Sequence, residues 1–230
     1  MINAEMQNKI KTLVNWEDIL TSNVFGLWEL IDYKHLLGFI SMAKNYKGDG
    51  IENKFKNKKI QTVEFWKYFK NIGEPDILVK LNDETLNDEN FFVIEVKYFS
   101  HEHNKKNKET ESNNKEGYKE DGQLSKYLNI KIDAKPSNFI IYLTADYQSI
   151  KKIQDSESSS KACLNNIYHI HWDQLNEYLQ KIKDFEGIEK NIVNKIIEYL
   201  DYKGFEYWKG FSYNKAYDIQ IITRGFYGNK

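Results

Sequence analysis

The chain has 230 residues, with 34 acidic and 33 basic side chains and an aromatic fraction of 15%. That length and aromatic content predict one domain, or one domain with a small appendage, with a sizeable core, and they exclude a disordered chain. The near-zero net charge excludes a polyanion-coating protein but not a local basic cleft, and the single cysteine, Cys163, excludes an internal disulfide or a cysteine-based zinc site.

One cysteine also fits a reducing cytoplasm. The opening MINAEMQNKIK has no apolar signal region and no apolar run reaches the length of a membrane span, so the expectation is an intracellular, cytoplasmic protein. The basic residues are almost all lysine, with Arg224 the single arginine. Lysine meets phosphate as a point charge without the bidentate fork that reads guanine, so backbone contacts should outnumber arginine-based base contacts.

In chain order, Ile10, Leu13, Val14, Leu20, Val24, Leu27 and Trp28 recur at helical spacing, as one long helix or two with a break near Thr21–Asn23. Residues 35–43 predict a further helix, and IQTVEFWKYF, from Ile60 to Phe69, predicts the first strand. Pro75 suits the start of a second strand, in which Ile77, Val79 and Leu81 share one side while Asp76, Leu78 and Lys80 share the other. The polar stretch NDETLNDEN predicts a turn. FFVIEVKY, from Phe91 to Tyr98, then predicts a strand buried on both faces, with Glu95 and Lys97 on the side of Phe91 and Val93.

Two ionisable groups in an apolar strand are costly unless they are paired, bind a metal or reach the open end of a sheet. A hairpin brings Asp76 near Glu95, and two adjacent carboxylates repel unless a cation lies between them; Mg²⁺ suits a site of few carboxylates that also binds phosphate. A backbone carbonyl between Glu95 and Lys97 can add a third oxygen.

The later chain predicts a charged loop over residues 100–121, in which His101 and His103 read as unligated surface side chains. A helix follows from Gly122 to Ile132 with Leu124, Tyr127 and Leu128 buried and Pro136 as its stop, then a central strand from Phe139 to Thr144. Residues 150–161 read as a charged, serine-rich connector. Ile167–Ile170 reads as a strand, Trp172–Phe185 and Ile188–Leu200 as helices, and the aromatic tail from Gly204 as a closing strand or a base-stacking platform.

The Pro-Asp pair followed by Glu-x-Lys on the next strand resembles the PD-(D/E)xK nuclease superfamily, with Asp76, Glu95 and Lys97 at its signature positions and the likeness covering about residues 10–145. The resemblance implies a restriction-endonuclease-like α/β fold, a mixed central β-sheet flanked by α-helices. Residues 1–150 would form the nuclease core, and residues 151–230 an extension packed on it within one domain. It implies that Asp76 and Glu95 hold one or two divalent ions, Mg²⁺ with Mn²⁺ as a substitute, while Lys97 positions or activates the attacking water.

The superfamily commonly adds an acidic residue from the helix before its first strand. WEDILTSNVFGLW resembles that element and assigns Glu17 as a further catalytic and metal-holding carboxylate, with Asp18 its neighbouring alternative. Glu64 ranks below Glu17, since pairing with Lys67 or Lys97 is the simpler role. GQLSKYL resembles the helix that carries a glutamine, sometimes with a tyrosine one turn on, which adds Gln123 to the catalytic set with Tyr127 beside it; helix capping and core packing explain the same two residues. The implied function is Mg²⁺-dependent hydrolysis of phosphodiester bonds, most simply in DNA, in restriction or phage defence, with a homodimer if both strands are cut. The alternatives are a non-cleaving nucleic-acid-binding module and an assembly subunit that retains the fold.

Overall fold

The structure, a computed structural model, describes residues 2–7, 16–83, 89–98, 122–156 and 164–206. Outside the described residues lie Cys163, the expected loop with His101 and His103, Arg224 and the tail beyond residue 206. Helices α1 (Ile2–Met6), α2 (Trp16–Trp28) and α3 (Tyr33–Ile40) precede strand β1 (Lys58–Phe65). Strands β2 (Ile77–Asp83) and β3 (Glu89–Lys97) follow, then α4 (Gln123–Leu128), the short pair β4 (Lys131–Ile132) and β5 (Lys135–Pro136), and β6 (Ile140–Thr144). The chain continues through α5 (Ser149–Ser156), β7 (Ile167–His171), α6 (Trp172–Lys181) and α7 (Gly187–Tyr202).

Five strands form one mixed sheet in the order β1-β2-β3-β6-β7. The first three are antiparallel, whereas β6 runs parallel to both β3 and β7. The architecture is therefore α/β, a mixed five-stranded sheet flanked by helices, as expected from the strand-helix-strand order. Strand β7 lies in the same sheet as the strands before residue 150.

Alternation sorts the strand residues onto two faces, as the sequence pattern predicts. Val79, Phe92, Ile94, Val96, Ile141 and Leu143 belong to a large core with Leu20, Val24, Phe25 and Trp28 of α2, Trp172 and Leu175 of α6, and Ile196 and Leu200 of α7. The opposite face carries a smaller core in which Leu78, Phe91, Val93, Ile140, Tyr142 and Ile167 meet Leu124, Tyr127 and Ile130. Asp76, Glu95 and Lys97 emerge on this second side.

Several boundaries differ from the sequence pattern for local reasons. Helix α2 runs unbroken through Thr21–Asn23, because Thr21 is buried and the Asn23 amide donates to the Tyr199 hydroxyl at 3.0 Å. Strand β1 stops at Phe65, since Trp66 takes φ +49°, outside the strand region. Helix α4 ends at Leu128 rather than near Ile132. Asp133 and Ala134, at φ +50° and +65°, form a two-residue turn of the kind that joins tight hairpins, and Pro136 sits in β5. The expected connector after Ile150 is helical from Ser149 to Ser156, anchored by the buried Ile153. Among the described residues no helix is long and apolar enough to cross a membrane.

Candidate active site

The parallel strands β3, β6 and β7 finish together, with Lys97, Thr144 and His171 in one row across the sheet. Strand β2 is antiparallel to β3, so its start lies at the same end. Carboxyl ends of parallel strands are the usual place for a ligand in open α/β sheets.

Asp76 lies one step before β2, next to the Ile77–Ile94 pair, which sets it opposite Glu95 on the smaller-core face. Its Oδ2 accepts a 2.7 Å hydrogen bond from the Val96 N–H, which fixes the carboxylate at the open end of the hairpin, away from its turn. Asp76 is 8% exposed and Glu95 only 2%. Burial pushes the Asp76 carboxyl up to about 6, against the pull of the Val96 N–H and Lys97. Burial and then the Asp76 charge push Glu95 up to about 8.

Lys97 shares the face of Glu95 because it stands two residues along the strand. Its Nζ donates to Glu95 Oε1 at 2.7 Å and to Glu17 Oε1 at 2.9 Å. Burial alone opposes the ammonium charge, but Glu95 and Glu17 outweigh it and raise the lysine well above its ordinary range. Glu17 comes from the first turn of α2, and its Oε2 accepts from the Tyr98 N–H at 3.0 Å. Both Glu17 oxygens thus bind the end of β3. The Lys97 carbonyl accepts from the Trp172 indole N–H at 3.2 Å, tying the same strand end to α6.

Gln123, the first residue of α4, faces the site from the other side. Its Nε2 donates to Glu95 Oε1 at 2.9 Å and to the Tyr127 hydroxyl at 2.8 Å; that hydroxyl donates to the Glu74 carbonyl at 3.1 Å. The one-turn spacing of Gln123 and Tyr127 therefore links α4 to the segment just before Asp76. Burial, then the Glu95 charge, raises the Tyr127 phenol, so it stays protonated and able to donate.

Two buried oxygens in this cluster meet no N–H or hydroxyl donor, Glu95 Oε2 and Gln123 Oε1, and the Glu95 and Asp76 carboxyls are close enough to share a proton when one of them is neutral. Buried acceptors without donors are costly, and Glu95 Oε2 beside the Asp76 carboxylate is a hard-oxygen set suited to a divalent cation such as Mg²⁺. Glu17 is turned to Lys97 and Tyr98. Among the described residues no group of three His, Cys, Asp or Glu side chains is placed to hold a metal, so the fit rests on the two carboxylates with remaining positions left to other oxygens.

All five candidates, Glu17, Asp76, Glu95, Lys97 and Gln123, meet in one hydrogen-bonded cluster at this end of the sheet. Glu64 does not join it: its oxygens take Lys67 at 2.8 Å and Lys80 at 2.9 Å, and those hydrogen bonds lower its carboxyl below the ordinary range. The contributions of the Trp172 indole and the Glu74 carbonyl carry no local sequence signal, because each depends on long-range packing. His169 and His171 lie on β7 in the rows of Glu95 and Lys97. Burial, the neighbouring His171 and Lys44 bring His169 down to about 4, so it is neutral. Comparison of the chain with protein-family models, with curated proteins and with solved structures finds no match.

Proposed function

We propose that the protein is a Mg²⁺-dependent nuclease of the restriction-endonuclease-like kind, hydrolysing phosphodiester bonds most simply in DNA. The observation that carries this reading is the buried Asp76–Glu95–Lys97 cluster, in which a lysine ammonium sits 2.7 Å from one oxygen of Glu95 while the other oxygen meets no N–H or hydroxyl donor. Asp76 and Glu95 would hold the metal, which when bound would neutralise the scissile phosphate and lower the pKa of a coordinated water.

The protein's own groups do the rest. The Val96 N–H and the Gln123 amide fix the two carboxylates before substrate arrives, so little reorganisation is needed. Lys97 stays charged and presents its ammonium beside Glu95, where it can orient a nucleophile or stabilise developing negative charge. Glu17 acts through Lys97, holding the ammonium in place from α2.

The engagement of Glu17 by Lys97 and Tyr98 favours, as a second reading, a non-cleaving nucleic-acid-binding module of the same fold. Cleavage assays on linear duplex DNA, single-stranded DNA and RNA, with Mg²⁺, Mn²⁺ or EDTA, separate the two. The nuclease reading expects metal-dependent cutting that Asp76→Ala and Lys97→Ala each abolish. Nucleic-acid binding by a folded protein that cuts none of these substrates would favour the module. Restriction or phage defence is the setting we propose for the activity, with dimer formation expected if both strands of a duplex are cut.

A further inference from the structure

The loop from β1 to β2 delivers Asp76 to the site, and it exposes aromatic side chains where it does so. Trp66, at φ +49°, holds a left-handed backbone conformation that a bulky side chain rarely adopts, and its N–H donates to the Asp76 carbonyl at 3.1 Å. The turn behind it is closed by paired hydrogen bonds, Phe69 N–H to the Gly73 carbonyl at 2.8 Å and Gly73 N–H to the Phe69 carbonyl at 3.0 Å. Phe69 and Ile72 pack against the smaller core, so the loop is anchored. Yet Tyr68 is 69% exposed and Trp66 36%.

Cations flank these rings on the same side of the sheet as Asp76. Glu64 binds Lys67 through one oxygen and Lys80 through the other, holding two ammonium groups apart with a net positive charge. Lys70 is exposed within the loop. Aromatic faces with interleaved lysines match the chemistry of an unpaired strand, whose bases stack on rings while its phosphates meet ammonium groups. A duplex hides its base faces. Lysine in place of arginine favours phosphate over base-edge readout, so the match is sequence-tolerant.

We propose that the 66–73 loop, with Lys67 and Lys80, is a stacking platform that feeds an unpaired nucleic-acid strand to the Asp76–Glu95 site. The substrate is then a single strand or a locally opened duplex. This inference rests on the nuclease reading for the destination of the strand, whereas binding itself does not require cleavage.

The test is fluorescence anisotropy in EDTA, with labelled oligothymidylate and oligouridylate of about 20 nucleotides and a duplex of the same length. Wild type is compared with Tyr68→Ala and Trp66→Leu, and thermal melting checks the fold of each. The expected result is tighter binding of a single strand than of duplex, an approximately tenfold loss for each variant on the single strand, and little change on duplex. Tyr68 is exposed, so its variant remains informative if Trp66→Leu fails to fold. The thymidylate and uridylate arms distinguish DNA from RNA as the source of the strand. Equal affinity for duplex and single strand, or full single-strand affinity in Tyr68→Ala, overturns the platform. Tyr68-dependent binding without any cutting supports the platform and removes the nuclease reading; metal-dependent cutting with Tyr68-independent binding overturns the platform alone.

Discussion

Lys97 is the residue on which the cluster's charge balance depends. Its ammonium is the cation between Glu95 and Glu17 in a site where Glu95 is almost wholly buried. Lys97→Met should therefore destabilise the fold by about 3 kcal/mol at neutral pH, because it leaves buried carboxylates without their counter-charge. Glu95→Gln should behave oppositely, keeping or raising the thermal midpoint at pH 8, since burial and the Asp76 charge penalise the Glu95 carboxylate in the folded chain and the amide carries no such charge. Thermal unfolding of both variants in EDTA checks the pair: a Lys97→Met protein as stable as wild type would show that the ammonium is not needed to offset the carboxylates. The types of these residues and their alternation on β3 were legible in the sequence, as was the partnership of Asp76 with Glu95. The specific donors were not, because the Glu17–Lys97 contact spans 80 positions of chain.

At the level of elements, hydrogen bonds at segment ends hold the scaffold in register. Asn176 on α6 is fully buried and its Nδ2 donates to Asp201 Oδ1 at 2.6 Å and to the Phe205 carbonyl at 2.7 Å, joining α6 to the end of α7. Asn176→Ala should cost about 2 kcal/mol in urea unfolding, the penalty of leaving a buried carbonyl and a part-buried carboxylate short of a donor. Gly73 occupies φ +131°, open to glycine and strained for any other residue, and closes the loop that places Asp76. Gly73→Ala should destabilise by about 2 kcal/mol and lower any cleavage activity more than Asn176→Ala does, because the strain falls next to the site. Equal losses of activity in the two variants would argue against a positioning role for that loop.

Across the whole molecule, the raised carboxyls link stability to pH. Asp76 and Glu95 titrate at about 6 and about 8 in the folded chain, above the ordinary carboxylate range of the unfolded one. Between about pH 4 and pH 8 these two carboxyls then bind more protons in the folded state. Below about pH 6.5 this excess of bound protons is opposed by His35, His169 and His171, which burial holds below the ordinary imidazole range, so the net fall in stability comes from about pH 6.5 to pH 8, as Glu95 loses its proton. Melting curves in EDTA should show the midpoint falling across this range, with a shallower slope in Glu95→Gln. Mg²⁺ should raise the midpoint at pH 8, where both carboxylates are ready to ionise, and Asp76→Asn should remove that rise. A midpoint indifferent to Mg²⁺ in the native chain would count against a metal held by these two groups.

The sequence by itself determined which residues face which side of β2 and β3, since strand alternation is a local rule and two ionisable groups in an apolar strand demand compensation. It also determined the antiparallel hairpin and the crossover to β6, from turn composition and the order of periodic segments. Tertiary structure alone decided that Glu17 serves Lys97 through a direct contact, that Glu64 takes Lys80 together with the expected Lys67 and not Lys97, and that Trp172 and the Tyr127 bond to the Glu74 carbonyl brace the site. Side-chain partners far apart in the chain are selected by packing and by competition among nearby charges, and neither is encoded in the spacing of residues along one segment.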